Sequence, residues 1–146
     1  MYYDIGGELD MNPHYNRNYT RNEINSLLTD IKSCIKENRY TVSLNENRQE
    51  NIDFINEYNI RSDKQKSILM QIEPEDFCHS LQNTKIGYEY EVLYVFVPQV
   101  QLFNAEGGNE IVDVYTKFNI IDLPSGSRVI VVSFHKRNRP VDYLFR

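Results

Sequence analysis

The chain has 146 residues, 40% of them hydrophobic, and a formal net charge of −5 at pH 7. That length suits one domain that buries roughly 68–70% of its unfolded surface, so a real core is expected. No apolar run approaches the ~20 residues of a membrane span, and Met1-Tyr2-Tyr3-Asp4 lacks the basic flank and apolar stretch of a secretory leader; the expectation is a cytoplasmic protein with no membrane partner.

Residues 1–19 are polar, rich in Tyr and Asn, with Gly6-Gly7 and Asn12-Pro13, and read as an arm before a single domain over 20–146. Thr20-Arg21-Asn22-Glu23 is a capping box, in which the Thr side chain takes the third helical N–H and Glu reaches back. Ile24, Leu27, Leu28, Ile31 and Ile35 then form a helical apolar stripe that ends near Asn38. Tyr40-Thr41-Val42-Ser43-Leu44 is a short strand or a connector. Asn45 is expected to cap a second helix that buries Ile52, Phe54, Ile55 and Tyr58. Ser62-Asp63 is expected to cap a third, with Ile68, Leu69 and Ile72 inward. Pro74 suits the first turn of a fourth, short helix, where its missing N–H costs nothing.

From Tyr88 the pattern changes to strand. Tyr88 to Val97 is rich in Tyr, Val and Phe; Val100 to Phe103 continues after Pro98, which marks an edge or bend. Gly107-Gly108 marks a turn, and Ile111 to Ile121 and Arg128 to Phe134 form a hairpin. Helices followed by a meander predict an α+β domain, its N-terminal helices packed on one face of a C-terminal antiparallel sheet.

Charge is unevenly spread. Ser127 to Arg146 holds five cations (Arg128, Lys136, Arg137, Arg139, Arg146) against Asp142, a local net of +4 that leaves −9 for the rest. A basic end on an acidic body can engage a phosphate backbone, or simply be a solvated tail. The cysteines, Cys34 and Cys78, form no CxxC pair, so a zinc knuckle or thioredoxin-like site is not supported. Cys34 lies in the helical pattern and reads as core. Cys78 precedes His79, but sequence neighbours rarely reach the geometry of a nucleophile and its base. No spacing among the three histidines suits a metal.

Four blocks carry a resemblance: Ile72-Glu73-Pro74-Glu75-Asp76-Phe77-Cys78-His79-Ser80-Leu81, Tyr90-Glu91-Val92-Leu93-Tyr94, Val114-Tyr115-Thr116-Lys117, and Ser133-Phe134-His135-Lys136. Over about residues 20–137 the chain resembles the MqsR family of bacterial type II toxins, small RelE-like ribonucleases. The arm, the segment 98–109 and the tail after Asn138 look like additions. The resemblance implies sequence-specific, metal-free and cofactor-free cleavage of single-stranded mRNA, silenced by a cognate antitoxin protein from a neighbouring gene. The family's functional Lys, Gln, Tyr and Lys fall on His79, Glu91, Tyr115 and His135. Of these the chain keeps only the tyrosine.

Metal-free RNA cleavage uses the ribose 2′-OH as nucleophile. It needs a base, an acid for the leaving 5′-oxygen and a cation over the phosphorane. A free histidine, with a pKa near ~6.5, can be either acid or base at neutral pH; a free lysine cannot. The expectation is therefore a two-histidine site. His79 and His135 exchange protons, Tyr115 binds phosphate or a base, and Glu91 orients a histidine or acts as base. Lys117, Lys136, Arg137 and Arg139 hold the RNA. The alternative is a non-catalytic protein of the same fold, a prophage-borne or defence-related regulator that binds protein or nucleic acid.

Overall fold

The computed structural model describes residues 15–45 and 48–146. Three helices and a mostly antiparallel seven-stranded sheet make an α+β fold. In chain order the elements are β1 (Tyr15–Asn16), α1 (Arg21–Lys36), β2 (Tyr40–Val42), α2 (Gln49–Glu57), α3 (Ser62–Met70), β3 (Phe77–Gln82), β4 (Val92–Phe96), β5 (Gln99–Phe103), β6 (Asn109–Leu123) and β7 (Gly126–Lys136). The sheet order is β1-β3-β4-β6-β7-β2, with β5 pairing the first part of β6. Among the described strands, β2 against β7 is the one parallel pairing. No helix among the described residues is long and apolar enough to cross a membrane.

Local chemistry sets the helix ends. The Thr20 box forms: Glu23 N–H donates to Thr20 Oγ1 at 3.1 Å, and Thr20 N–H donates to Glu23 Oε1 at 2.7 Å. At the far end of α1, Asn38 turns to φ 62°. Its N–H donates to Ile35 O at 3.0 Å and that of Arg39 to Cys34 O at 2.8 Å, a Schellman closure. Asn59 repeats the device at the end of α2, with φ 50° and Ile60 N–H on Ile55 O at 2.9 Å. Ser62 and Asp63 open α3, but no side chain caps it. Asn45 does not cap α2 either: that helix starts after Arg48, without a side-chain cap.

Ile24, Leu28, Ile31, Cys34 and Ile35 of α1, Phe54 of α2, and Ile68 and Leu69 of α3 share one core with Phe77, Phe96, Val114, Phe118, Val129, Val131 and Phe134 of the sheet. A bulge keeps this register. Lys117 lies opposite Ser133 and Phe118 opposite Val131, so Val132 is the extra residue. Without it, Phe134 and Val131 could not both face the core, because strand side chains alternate. The opposite side of the pleat carries a smaller cluster of Cys78, Val95 and Val97, with Leu81, Tyr115, Val141 and Tyr143 against it. We call this the second face.

One expectation needs correction. The Pro74 block is not a helix: Pro74–Asp76 makes a single 3-10 turn, and Phe77–Gln82 is a strand between β1 and β4. Phe77, Cys78, His79 and Ser80 are all buried, which a short helix with one apolar face does not allow. The described part of the expected arm, residues 15–19, docks on the sheet. Tyr15 and Asn16 pair with Leu81 and Ser80, and Tyr19 packs edge-on against Phe77. The rest of the expected arm, His14 included, lies outside the described residues.

Candidate functional site

The register puts His79, Tyr115, Lys117 and His135 on the second face. His79 lies opposite Val95, Val95 opposite Lys117, and Lys117 opposite Ser133. Tyr115 lies opposite His135, two residues further along the same side.

Tyr115 and His135 form the centre. Their rings stack with centroids 5.4 Å apart and 23° between planes. His135 is buried, and its Nδ1 is 2.8 Å from Lys136 O. A carbonyl only accepts, so Nδ1 carries the proton and Nε2 of the neutral ring is the free acceptor. Glu50 Oε1 lies 3.8 Å from that Nε2, and the other Glu50 oxygen accepts from Asn138 Nδ2 at 2.6 Å. The carboxylate is placed to hold the imidazolium once a proton arrives. Burial, the largest cause, raises the pKa of Tyr115, so its phenol remains a donor at neutral pH. Lys117 Nζ lies 5.8 Å from the Tyr115 ring centre. Burial, aided by the nearby Arg48 and Arg139 guanidinium groups, lowers its pKa. Among the described residues, Lys117, Arg48 and Arg139 form no ion pair.

His79 belongs to the same face but not to this centre. From the register, its Cα lies roughly 15 Å from that of His135, three strand spacings and two residues away. An acid and a base serving one phosphate must each lie within ~3 Å of the proton they move. The two imidazoles therefore do not meet across a single phosphate. His79 is 6% exposed, and Tyr15 lies flat on it with centroids 3.7 Å apart. Burial, with the Arg17 and Lys117 charges beside it, lowers its pKa to about 4. It is neutral at pH 7. A bulge between Phe77 and His79 brings Cys78 onto the same face, but burial pushes that thiol up to about 12, out of nucleophile range.

Other expected residues are placed elsewhere. Glu91 ends the loop before β4 and is held by two amides, Asn83 Nδ2 at 2.8 Å and Asn119 Nδ2 at 3.2 Å; it meets neither histidine. Lys136 alternates with His135 and points to the core side. There it pairs with Glu57 at 2.9 Å and lies 5.0 Å over the Tyr58 ring, so it cannot clamp phosphate beside His135. Arg137 is tied to Asp113 at 3.1 Å, and Arg146 to Asp76 at 2.9 Å. Much of the basic end is thus spent internally, and Arg139 is the expected RNA-binding cation left beside Tyr115 and Lys117. Glu50, Arg48, Arg17 and Tyr15 also border this face without having been expected there. Glu50 and Arg48 had one available signal, charged residues in the first turn of a helix that must pack near the end of β7.

Among the described residues, no three His, Cys, Asp or Glu side chains gather as a metal site would require. A surface concavity away from this face is lined by Tyr58, Arg61, Lys64, Leu102 and Phe103. No protein-family model, no curated protein and no solved structure matches the chain.

Proposed function

We propose that the protein is a RelE/MqsR-like toxin, a metal-independent endoribonuclease that cuts single-stranded mRNA in the cytoplasm and is silenced by a cognate antitoxin. The observation that carries this reading is the Glu50–His135–Tyr115 arrangement beside Lys117, which forms no ion pair among the described residues.

The site suits the reaction step by step. His135 Nε2 takes the 2′-OH proton while Glu50 supports the resulting imidazolium. The 2′-oxygen bonds to phosphorus and the P–O5′ bond breaks. Lys117, its ammonium made more acidic by burial, covers the phosphorane charge and donates a proton to the departing 5′-oxygen. Tyr115 hydrogen-bonds a non-bridging oxygen, and Arg139 and Arg48 hold the flanking phosphates. The products are a 2′,3′-cyclic phosphate and a 5′-hydroxyl.

Purified protein incubated with mixed-sequence RNA in EDTA is expected to leave those ends. His135→Ala should lose about 100-fold in rate, the scale of a positioned base. RNA left intact by wild-type protein would refute the enzyme. A second reading has its own support: His79, at the family's first lysine position, is sealed beneath Tyr15. A non-catalytic binder would retain RNA or a protein partner and release no new ends. Growth arrest on expression, relieved by the neighbouring gene, is the cellular counterpart.

A further inference from the structure

We infer that His79 is the floor of a nucleobase-stacking subsite for single-stranded RNA, and that Tyr15 fills it in this structure as an intramolecular stand-in for a base. The inference rests on the RNA reading above and assigns His79 a role outside proton transfer.

The stack itself is the first observation. Tyr15 and His79 are 3.7 Å apart with 12° between planes, the closest and most parallel ring pair among the described residues. A purine or pyrimidine on an imidazole adopts this geometry, and base–aromatic stacking tolerates any base because each has a π-face.

The second observation is an unfilled hydrogen-bond position. His79 Nε2 is sealed from solvent and has no partner, the single buried side-chain nitrogen or oxygen in that state among the described residues. A buried polar atom without a partner is unfavourable, and natural folds avoid it. Tyr15 covers the ring face but offers nothing in the ring plane. A nucleotide stacked in its place brings ribose hydroxyls and base-edge groups that can reach Nε2.

The cover is short and solvent-facing. β1 has two residues, both exposed, and Tyr15 itself is 36% exposed. The clasp beside it, Arg17 to Asp142 at 2.8 Å and to Tyr143 O at 3.2 Å, joins the segment after β1 to the C-terminal tail across the same face. Arg17 and Lys117 are the cations whose charge His79 feels, and since Arg17 is paired to Asp142, Lys117 is the one without an ion pair among the described residues to meet a phosphate flanking a stacked base. His79 and Lys117 lie two strand spacings apart, ~10 Å, so a strand with its scissile phosphate at Lys117 can lay a nearby base on His79.

The test uses full-length protein with 15N-labelled histidine, an uncleavable all-2′-O-methyl heptamer, and adenosine and uridine 5′-monophosphates. In Tyr15→Ala and Tyr15→Leu, which expose the imidazole with and without loss of apolar bulk, the nucleotides should shift the His79 ring signals. The heptamer should bind about tenfold tighter than to wild type. In wild type, saturating heptamer should abolish the nuclear Overhauser contact between Tyr15 and His79. His79 signals unmoved in both variants, with that contact intact in wild type, overturn the subsite. RNA cleavage measured in parallel separates the two claims. Cleavage with silent His79 leaves the nuclease and removes the subsite; shifted His79 without cleavage does the reverse.

Discussion

Asn51 does the work of a missing strand. β2 ends at Val42, and beyond Val131 the outer edge of β7 has no ladder partner among the described residues. The Asn51 amide donates to Ser43 O at 2.8 Å and Val132 O at 3.1 Å, and its oxygen accepts from Phe134 N–H at 2.8 Å. The residue is 1% exposed. Asn51→Ala removes the partner of three backbone groups, one buried (Phe134 N–H) and two part-buried (Ser43 O, Val132 O); urea unfolding is expected to show a loss of about 2–4 kcal/mol. His79 makes a second residue-scale prediction. In the unfolded chain an imidazole titrates near ~6.5; here it titrates at about 4. Above the higher value both states hold a neutral ring. Between the two values the unfolded chain binds a proton that the native state refuses, so stability falls as pH falls through that window. From pH 7 to pH 5 wild type should lose about 2 kcal/mol more than His79→Phe, which keeps a ring but cannot titrate. Equal losses in the two proteins would show that the imidazole is not sealed.

At the scale of elements, what could be read from sequence depended on whether the signal was local. The α1 cap could be read because Thr20 and Glu23 act on each other alone. Thr20→Ala should cost about 1 kcal/mol and lower the thermal midpoint without moving any strand. The β6–β7 hairpin was legible because alternating Val, Ile and Tyr runs flank a Pro-Ser-Gly turn. β3 was not. Pro74-Glu75-Asp76 is a good helix opening, and it does form one tight turn. What then prevails is non-local: β1 and β4 supply ladder partners on both sides, and burial of four successive residues excludes an amphipathic helix. The site followed the same division. Tyr115 and His135 were singled out by the family resemblance, and the hairpin register then sets them opposite one another. Glu50 was not, because its approach to His135 depends on where α2 docks. Lys136 was misassigned for the simplest reason: it follows His135 and so must face the other way.

At the scale of the molecule, the sheet separates two chemistries. One side holds the main core, the other a face with cations, phenols and imidazoles, and this division makes the RNA reading quantitative despite a net charge of −5. Single-stranded RNA bound across the second face displaces counterions only where a cation meets a phosphate, and each such contact adds ~0.7 to the slope of log affinity against log salt. Lys117 and Arg139 form no ion pair among the described residues, so on the proposed RNA reading they are the cations to test for phosphate contact. Lys117→Ala and Arg139→Ala should each flatten that slope by about 0.7 and weaken the uncleavable heptamer equally across sequences. Lys136 is the matched control. It is a similar cation two residues along the chain from Phe134, but Glu57 and the Tyr58 ring already hold it on the core side. Lys136→Ala should leave the slope unchanged and cost at most about 1 kcal/mol of stability, as exposed ion pairs do. Fluorescence anisotropy from 50 to 300 mM salt reads all three variants. If Lys136 and Lys117 flattened the slope alike, RNA would be binding the charge of the whole chain end rather than one face, and the assignment of His135, Tyr115 and Lys117 to a shared substrate would fall with it.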